Sequence, residues 1–162
     1  MYNNLMVEGA QIIPAFGPKD ITGAAQVGDY INMKHARKCA IVLQKGAWGG
    51  GTPAVTLEQA TNAAGAGSKA LAFDRQYVGT GLTNDVLAQS AVAASTFNLS
   101  ATANEYHVIE VDAGDLDHAN GFFYLTVKVA SPGAFADLLS ATYFLYQHNF
   151  VRKPANRPTA IT

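Results

Sequence analysis

Residues 138–150 read LLSATYFLYQHNF, and two segments of similar character precede them, EYHVIEVDA at 105–113 and GFFYLTVKVA at 121–130. All three are rich in β-branched and aromatic residues, which favour strands over helices. The sequences between them, DAGDLDHANG at 112–121 and SPGAFAD at 131–137, are rich in turn-forming residues. Three strand-like segments separated by turns predict a β-sheet protein in which neighbouring strands run antiparallel.

The rest of the chain extends this pattern in both directions. Further segments with alternating or continuous apolar residues predict strands at DYINMK (29–34), CAIVLQ (39–44), AVTLEQA (54–60), KALAFDRQY (69–77) and TFNLS (96–100). The basic HARK (35–38) is interpreted as a turn. Residues 82–95 are ambiguous because their alanines favour a helix, and we interpret them as strand and loop. About eight strands at this spacing predict an all-β fold, an antiparallel β-sandwich or jelly roll.

The length and the punctuation of the chain indicate one domain with two arms. A chain of 162 residues is long enough to bury one core. Residues 1–28 contain prolines and glycines too often for a helix and predict an extended N-terminal arm. Residues 29–150 form the predicted β-sandwich domain. Residues 151–162 carry two prolines without periodicity and predict a C-terminal arm.

The composition argues for protein partners. Eleven basic and twelve acidic residues give a net charge of -1 without a basic patch, so we expect no nucleic-acid partner. The longest uncharged stretch is rich in Gln, Ser, Thr and Asn, so we expect no membrane partner. Charged residues make up only 14% of the chain, which favours burial of some surface in a homo-oligomer. The residues predicted to contact partners are Trp48, beside three glycines, and Tyr2, Ile12, Ile13 and Phe16 in the N-terminal arm.

The glycine-rich motifs are not typical of phosphate or dinucleotide loops. GAWGGGTP at 46–53 lacks the spacing of a P-loop and precedes a strand instead of a helix. AGAGSKA at 64–70 has the GxGxxA pattern, but no continuous apolar strand leads into it. We therefore interpret the glycines as turn residues that permit positive φ, and we expect no cofactor. Trp48 is then expected to lie over the sheet or to project into a pocket of a neighbour.

The acidic loop DAGDLDHANG contains oxygen and imidazole groups of the kind that bind divalent cations. These groups belong to Asp112, Asp115, Asp117, His118 and Asn120. The loop lacks the residue order of an EF-hand, so our interpretation is that its side chains bind nearby backbone amides. Cation binding by the Asp112–Asp117 loop remains the alternative.

No nucleophile, base and orienting group occur together in a recognisable motif. Cys39 lies in an apolar run and is predicted to be a buried thiol with a raised pKa. His35 lies four residues before it, but a zinc site needs three or four ligands and no further motif supplies them. We expect no catalytic residue and no metal-binding residue, and therefore no enzyme.

Two long segments resemble a group of small structural proteins of tailed-bacteriophage virions, encoded among head and neck genes. The segments are AIVLQKGAWGGGTPAVTLEQATNAAGAGSKALAFDRQY at 40–77 and EYHVIEVDAGDLDHANGFFYLTVKVASPGAFADLLSATYFLY at 105–146. The resemblance covers roughly residues 29–147. It implies a virion component with a jelly-roll-like fold, as in several phage cement proteins.

The resemblance leads to a functional hypothesis. The chain is expected to be a capsid decoration or cement protein of a bacteriophage, located in the virion and assembled in the host cytoplasm. Its partners would be the major capsid protein or other virion proteins, together with further copies of itself. The alternatives are a neck, tail or adaptor component of the virion, or a glycan-binding jelly-roll module in which Trp48 stacks on a sugar.

Overall fold

The computed structural model describes residues 5–81, 85–90, 95–149 and 154–161, and these form an all-β sandwich of two antiparallel sheets. The elements in chain order are α1 (Met6–Gly9), β1 (Ala10–Asp20), β2 (Gln26–Val27), β3 (Ile31–Asn32), β4 (Ala36–Trp48), β5 (Ala54–Ala60), β6 (Lys69–Ala70), β7 (Arg75–Gly79), β8 (Ala88–Ser90), β9 (Thr96–Asn98), β10 (Tyr106–Asp112), β11 (Tyr124–Val129) and β12 (Asp137–His148). Short 3₁₀ turns lie at Ala113–Asp115, His118–Asn120 and Pro154–Asn156.

The order of the strands is that of a jelly roll. Sheet A has the order β1-β12-β4-β10-β7-β8, and sheet B has the order β2-β11-β5-β6. The short β3 continues the line of β2 along β11, and β9 continues the line of β6 along β5. If β2 and β3 are counted together as strand 2, β6 and β9 together as strand 5, and β7 and β8 are left out of the count, the order is 1-8-3-6 in sheet A and 2-7-4-5 in sheet B. β7 and β8 extend sheet A beyond strand 6. Consecutive strands of this count lie in different sheets, except for strands 4 and 5, which are neighbours in sheet B, and this is the order of a jelly roll. The predicted fold class is confirmed.

The core lies between the sheets and is built from alternate residues of each strand. β4, for example, directs Cys39, Ile41 and Leu43 inward, and all three are fully buried. Successive side chains of a strand point to opposite faces, so each strand supplies one apolar row to the core. The prediction that Cys39 is buried is confirmed, and burial raises the pKa of its thiol.

Two predicted segments divide differently in the structure. KALAFDRQY was predicted as one strand, but β6 pairs with β5 in sheet B and β7 pairs with β10 in sheet A. Residues 71–74 cross between the sheets, and burial of Leu71 and Phe73 in the core holds this crossing in place. HARK was predicted as a turn, but β4 already begins at Ala36. Of the ambiguous segment 82–95, residues 88–90 form β8, while 82–84 and 91–94 lie outside the described residues.

The predicted N-terminal arm is largely part of sheet A, which corrects the boundary at residue 28. β1 pairs with β12 from Ala10 opposite Tyr146 to Asp20 opposite Leu138. The strand docks because it buries apolar side chains between the sheets, among them Ile13 and Phe16. A register shift between Pro14 and Phe16 marks a β-bulge.

The predicted C-terminal arm lies against the sandwich wherever the structure describes it. Ala160 is buried, and its carbonyl oxygen accepts a hydrogen bond of 2.9 Å from the Asn32 backbone N–H. The Arg157 guanidinium donates to the carbonyl oxygens of Ala10, at 2.7 Å, and Glu8. Residues 154–161 therefore hold the beginning of β1. Residues 151–153 lie outside the described part.

Helices contribute little to the fold. The longest helix in the described residues is the single turn α1. None of the helices described is long and apolar enough to cross a bilayer.

Candidate functional site

Four loops meet at one end of the sandwich, which we call the Trp48 end. They are residues 21–25, 49–53, 99–105 and 130–136, and backbone hydrogen bonds join them to one another and to the neighbouring strands. For example, the Gly23 N–H donates to the carbonyl oxygen of Gly133 at 2.7 Å. The Trp48 end contains the glycine-rich stretch that the sequence singled out.

Trp48 ends β4 and lies half-buried against the core. Its indole N–H donates a hydrogen bond of 2.7 Å to the carbonyl oxygen of Gly51. The Lys45 ammonium lies 4.2 Å from the centre of its ring, within the range of a cation–π interaction. The side chain therefore packs against the core of its own chain at this end. Whether it also contacts a partner stays a prediction.

The three glycines beside Trp48 are explained by backbone conformation and close packing. Gly50 has φ +114°, a conformation that other residues rarely adopt. A Cβ at Gly51 would lie 2.2 Å from Asp137 Oδ2, and one at Gly49 would lie 3.0 Å from backbone atoms of Ala136. The Gly49 N–H also donates to Asp137 Oδ1 at 2.6 Å. The loop thus wraps around the buried Asp137 carboxylate.

A buried polar cluster lies directly below Trp48. The Lys45 ammonium donates to Glu105 Oε2 at 3.1 Å and to the carbonyl oxygen of Ser100 at 2.8 Å. The Ser100 hydroxyl also donates to Glu105. His107 Nε2 lies 3.7 Å from the same carboxylate, and His107 Nδ1 lies 3.0 Å from Gln76 Nε2. A neutral ring that carries its proton on Nε2 fits both neighbours.

Burial and hydrogen bonding set the charge states of the cluster in opposite directions. Burial lowers the pKa of Lys45, although the bond to Glu105 opposes this. Burial also disfavours ionised Glu105, but hydrogen bonds from Ser100 and Lys45 outweigh it and hold the Glu105 pKa below its ordinary value. Burial lowers the pKa of His107. The cluster is enclosed between the sheets, so its chemistry supports the fold rather than a reaction with a ligand.

The predicted contact residues of the N-terminal segment separate into exposed and buried ones. Ile12 is 46% exposed on the outer face of sheet A. Ile13 and Phe16 are 4% and 9% exposed and belong to the core, which removes them from the residues that a partner could contact. Their apolar character reflects the docking of β1. Tyr2 lies outside the described residues.

The outer face of sheet A has an apolar centre, a feature that was not predicted from the sequence. One row of neighbouring side chains crosses five strands, and it consists of Pro14, Thr142, Val42, Val108 and Tyr77. The next row consists of Ile12, Phe144, Ala40, Glu110 and Arg75. Tyr106 extends the apolar surface by covering Gly79, where a Cβ would lie 2.2 Å from its ring. Within these strands, many residues at both the inward and the outward positions are apolar, and this pattern was the sequence signal for an apolar outer face.

The outer face of sheet B is polar by contrast. Thr56 lies between Thr96 of β9 and Lys128 of β11. Lys128 Nζ lies 2.7 Å from Glu58 Oε2, which also accepts a hydrogen bond of 3.2 Å from the Tyr30 hydroxyl. An antiparallel sheet commonly turns one such polar face to water. The two outer faces of this sandwich therefore differ in character.

Two further apolar side chains are exposed at the Trp48 end. Phe135 is 48% exposed and lies beside Gly50, where a Cβ would be 3.7 Å from its ring. Leu138 is 44% exposed and lies over Gly46, where a Cβ would be 3.3 Å from Leu138 Cβ. Together they add apolar area next to the outer face of sheet A.

The acidic side chains of the Asp112–Asp117 loop are engaged within the protein. Asp112 Oδ1 accepts a hydrogen bond from the Gly114 N–H at 2.9 Å, and Asp115 accepts one from the Asp112 N–H at 3.1 Å. Asp117 accepts hydrogen bonds from Lys69 and Asn120. Within the described ranges, no three His, Cys, Asp or Glu side chains lie close enough together to hold a metal ion.

A groove of about 420 Å³ lies at the opposite end of the sandwich, lined in part by Lys34, Arg37 and His118. Phe123 in its wall is already occupied by protein groups. The Lys34 ammonium lies 4.4 Å from the ring centre, and His118 stacks on the ring at 5.0 Å. The groove therefore offers exposed basic side chains but no free aromatic surface at Phe123.

The strand order and the two contrasting faces define the class: a jelly-roll sandwich with one apolar outer face.

No family model and no curated protein matches the chain. A structure described as "Structure of infectious bursal disease virus Gt strain" is 11% identical, with a TM-score of 0.24 over 93% of this chain. A subviral particle of VP2 from the same virus is 12% identical, with a TM-score of 0.22 over 94% of this chain. This chain covers 44% of each. Scores this low support no further argument.

Proposed function

We propose that the chain is a structural protein of a bacteriophage virion that decorates or cements the capsid. The observation that carries the proposal is the exposed apolar surface of a jelly-roll sandwich, which continues from the outer face of sheet A to Phe135 and Leu138 at the Trp48 end. Contiguous exposed apolar surface marks a contact site more often than it marks a free surface. The resemblance of residues 29–147 to phage virion proteins supplies the kind of assembly. The chain is expected in the virion, after assembly in the host cytoplasm.

The Trp48 end is the part proposed to contact the capsid. Phe135 and Leu138 expose apolar side chains there, and Phe135 lies beside Gly50. Burial of apolar area contributes about 25 cal/mol per Å² before the costs of association. Such a contact would act mechanically, by joining neighbouring capsid subunits. No chemical step is involved, so we propose that the chain is not an enzyme.

The glycan-binding alternative receives no support from Trp48. Stacking on a sugar needs an accessible aromatic face, whereas Lys45 lies over this ring and its N–H is bonded to Gly51. The neck, tail or adaptor alternative uses the same kind of apolar contact. Only a binding experiment separates it from capsid decoration.

The test is co-sedimentation of the purified chain with capsids of the encoding phage, prepared without this protein. Saturable binding to the capsids is expected, and Phe135→Ser should weaken it at least tenfold. Val27→Ser is the matched control, because Val27 is 55% exposed on a different part of the sandwich. Binding confined to purified necks or tails would move the protein to that part of the virion. Binding to a glycan array without binding to any virion part would refute the structural role.

A further inference from the structure

The centre of the outer face of sheet A is apolar, and polar residues flank it. Its central row runs from Pro14 on β1 to Tyr77 on β7 and contains no charged residue. The longest helix in the described part of the chain has four residues. Sheet B shows what a solvated face of the same molecule looks like, with Thr56, Glu58 and Lys128 at equivalent outward positions.

The edges of sheet A are poorly suited to pairing with a strand of another chain, so its outer face is the better candidate for a contact. The edge strand β1 contains Pro14 and Pro18 and has two register shifts along its pairing with β12. Proline and bulges disrupt the regular row of N–H and C=O groups that a further strand would need. The other edge strand, β8, has three residues in the part of the chain that the structure describes.

The charged residues at the margin of the face are compatible with a second copy of the chain. Arg75 lies opposite Glu110, and Lys38 lies opposite Asp112. The two pairs sum to zero charge, and each acid has a base on the neighbouring strand. A two-fold interface brings a surface against itself, so it requires such self-complementarity. These pairs leave no net charge that would attract a strongly acidic or basic partner.

The area of the face matches that of a stable dimer. β1, β12 and β4 have 11, 12 and 13 residues, and β10 and β7 add 7 and 5. With strands about 4.8 Å apart and a rise of about 3.4 Å per residue, these five strands cover roughly 800 Å². A standard interface buries about 800 Å² on each partner.

We infer that two copies of this chain associate face to face through the outer surfaces of sheet A, around a two-fold axis. The inference deepens the proposed function, on which it rests for the role of the assembly. The dimer would be the unit that binds the capsid, with two Trp48 ends available for contact. The association itself needs only the purified chain, so its test involves no capsid.

The experiment is sedimentation velocity of the purified chain from 1 to 100 micromolar, on wild type and three variants. Val42→Lys places a charge at the centre of the face. Thr142→Lys places a charge at the neighbouring position on β12. Thr142 is polar, so its replacement disturbs folding less than the replacement of Val42. Thr56→Lys is the matched control, because it adds the same charge to the outer face of sheet B. Circular dichroism checks that each variant is folded.

We expect wild type and Thr56→Lys to sediment as dimers, and the two sheet A variants to dissociate with an equilibrium constant raised at least 100-fold. A monomeric wild type at 100 micromolar, a trimer, or a dimer unchanged in every folded sheet A variant would overturn the inference. Loss of the dimer in Thr56→Lys alone would also overturn it. Failure of capsid binding by an intact dimer would refute the proposed function and leave this inference standing.

Discussion

The hydroxyl of Tyr143 joins the two sheets, and its removal gives a sharp test of the packing. Tyr143 belongs to β12 in sheet A and is fully buried. Its oxygen accepts a hydrogen bond of 3.1 Å from the Val127 N–H and donates one of 3.1 Å to the carbonyl oxygen of Asp29. Both partners belong to the sheet B side of the sandwich, one in β11 and one between β2 and β3. The Tyr143→Phe substitution keeps the ring and removes both bonds.

The magnitude follows from the groups that lose their partners. The Val127 N–H is completely buried, and an unsatisfied group of this kind costs about 1–3 kcal/mol. The Asp29 residue is exposed, so water can replace part of the second bond. We therefore expect Tyr143→Phe to lower the free energy of unfolding by about 2–3 kcal/mol, or roughly 4–12 °C in melting temperature. Urea titration followed by circular dichroism measures the change.

Tyr146→Phe is the control, because it makes the same substitution on the same strand. The Tyr146 hydroxyl donates to Glu110 Oε1 at 3.2 Å on the outer face, where water is accessible. Its loss should cost about 0.5 kcal/mol. Equal effects of the two substitutions would refute the claim that the Tyr143 hydroxyl links the sheets.

A second substitution tests the same contact from the opposite side. A Cβ at Gly28 would lie 2.3 Å from the Tyr143 oxygen and 3.1 Å from Ala15 Cβ. Gly28→Ala should therefore destabilise wild type strongly and the Tyr143→Phe variant less. The expected coupling is about 1 kcal/mol or more, which a double-mutant cycle resolves. Additive effects would mean that the close approach of Gly28 to Tyr143 is wrong.

Three further predictions concern the Trp48 end and the acidic loop. Trp48→Ala should cost about 2 kcal/mol of stability and Trp48→Phe about 1, because the second keeps much of the packing and loses the bond to Gly51; thermal melts in which both variants match wild type would contradict this. Stability should fall as the pH drops below about 6.5, because burial lowers the pKa of His107 in the folded chain and the unfolded chain then binds the proton more readily. His107→Gln should reduce that loss in urea titrations at pH 7 and pH 5. A second loss below about pH 4.5, from the lowered pKa of Glu105, should be smaller in Glu105→Gln; an unchanged profile in both variants would refute the assignment. EDTA should leave the melting temperature unchanged, because Asp117 is held by Lys69 and Asn120, and a fall of many degrees would instead implicate the Asp112–Asp117 loop in cation binding.

Local patterns were sufficient to predict most of the strands. AVTLEQA coincides with β5, and TFNLS, EYHVIEVDA and GFFYLTVKVA contain β9, β10 and β11. These segments either alternate apolar and polar residues or contain continuous β-branched residues, so their sequences indicate burial on one face or on both faces. The all-β sandwich could be inferred because such segments recur at regular spacing.

The sheet to which each strand belongs could not be predicted in the same way. KALAFDRQY keeps its alternation through residues 71–74, although the chain passes there from sheet B to sheet A. β1 contains two prolines, which are typical of an arm, yet Ile13 and Phe16 secure it in the core. Pairing between distant segments depends on three-dimensional packing, which local sequence does not encode.

The candidate site was predicted only in part. The glycines around Trp48 indicated a loop with positive φ, and Gly50 adopts it. The enclosed cluster of Lys45, Glu105 and His107 was missed, because its members come from strands or loops that are 60 residues apart in the chain. The apolar outer face of sheet A was missed because a strand that is apolar on both faces reads as fully buried.

The position of β12 between β1 and β4 has a consequence for synthesis of the chain. β1 is complete by residue 20, but the strand that joins it to the sheet is not present until residues 137–148 have been made. A ribosome-bound fragment lacking β12 would leave two strands of sheet A without their shared neighbour and the apolar side of β1 in water. Pairings this distant in sequence form slowly and leave intermediates prone to aggregation. Folding of this sandwich should therefore be completed only after translation, and prematurely terminated chains should be targets for chaperones and proteases.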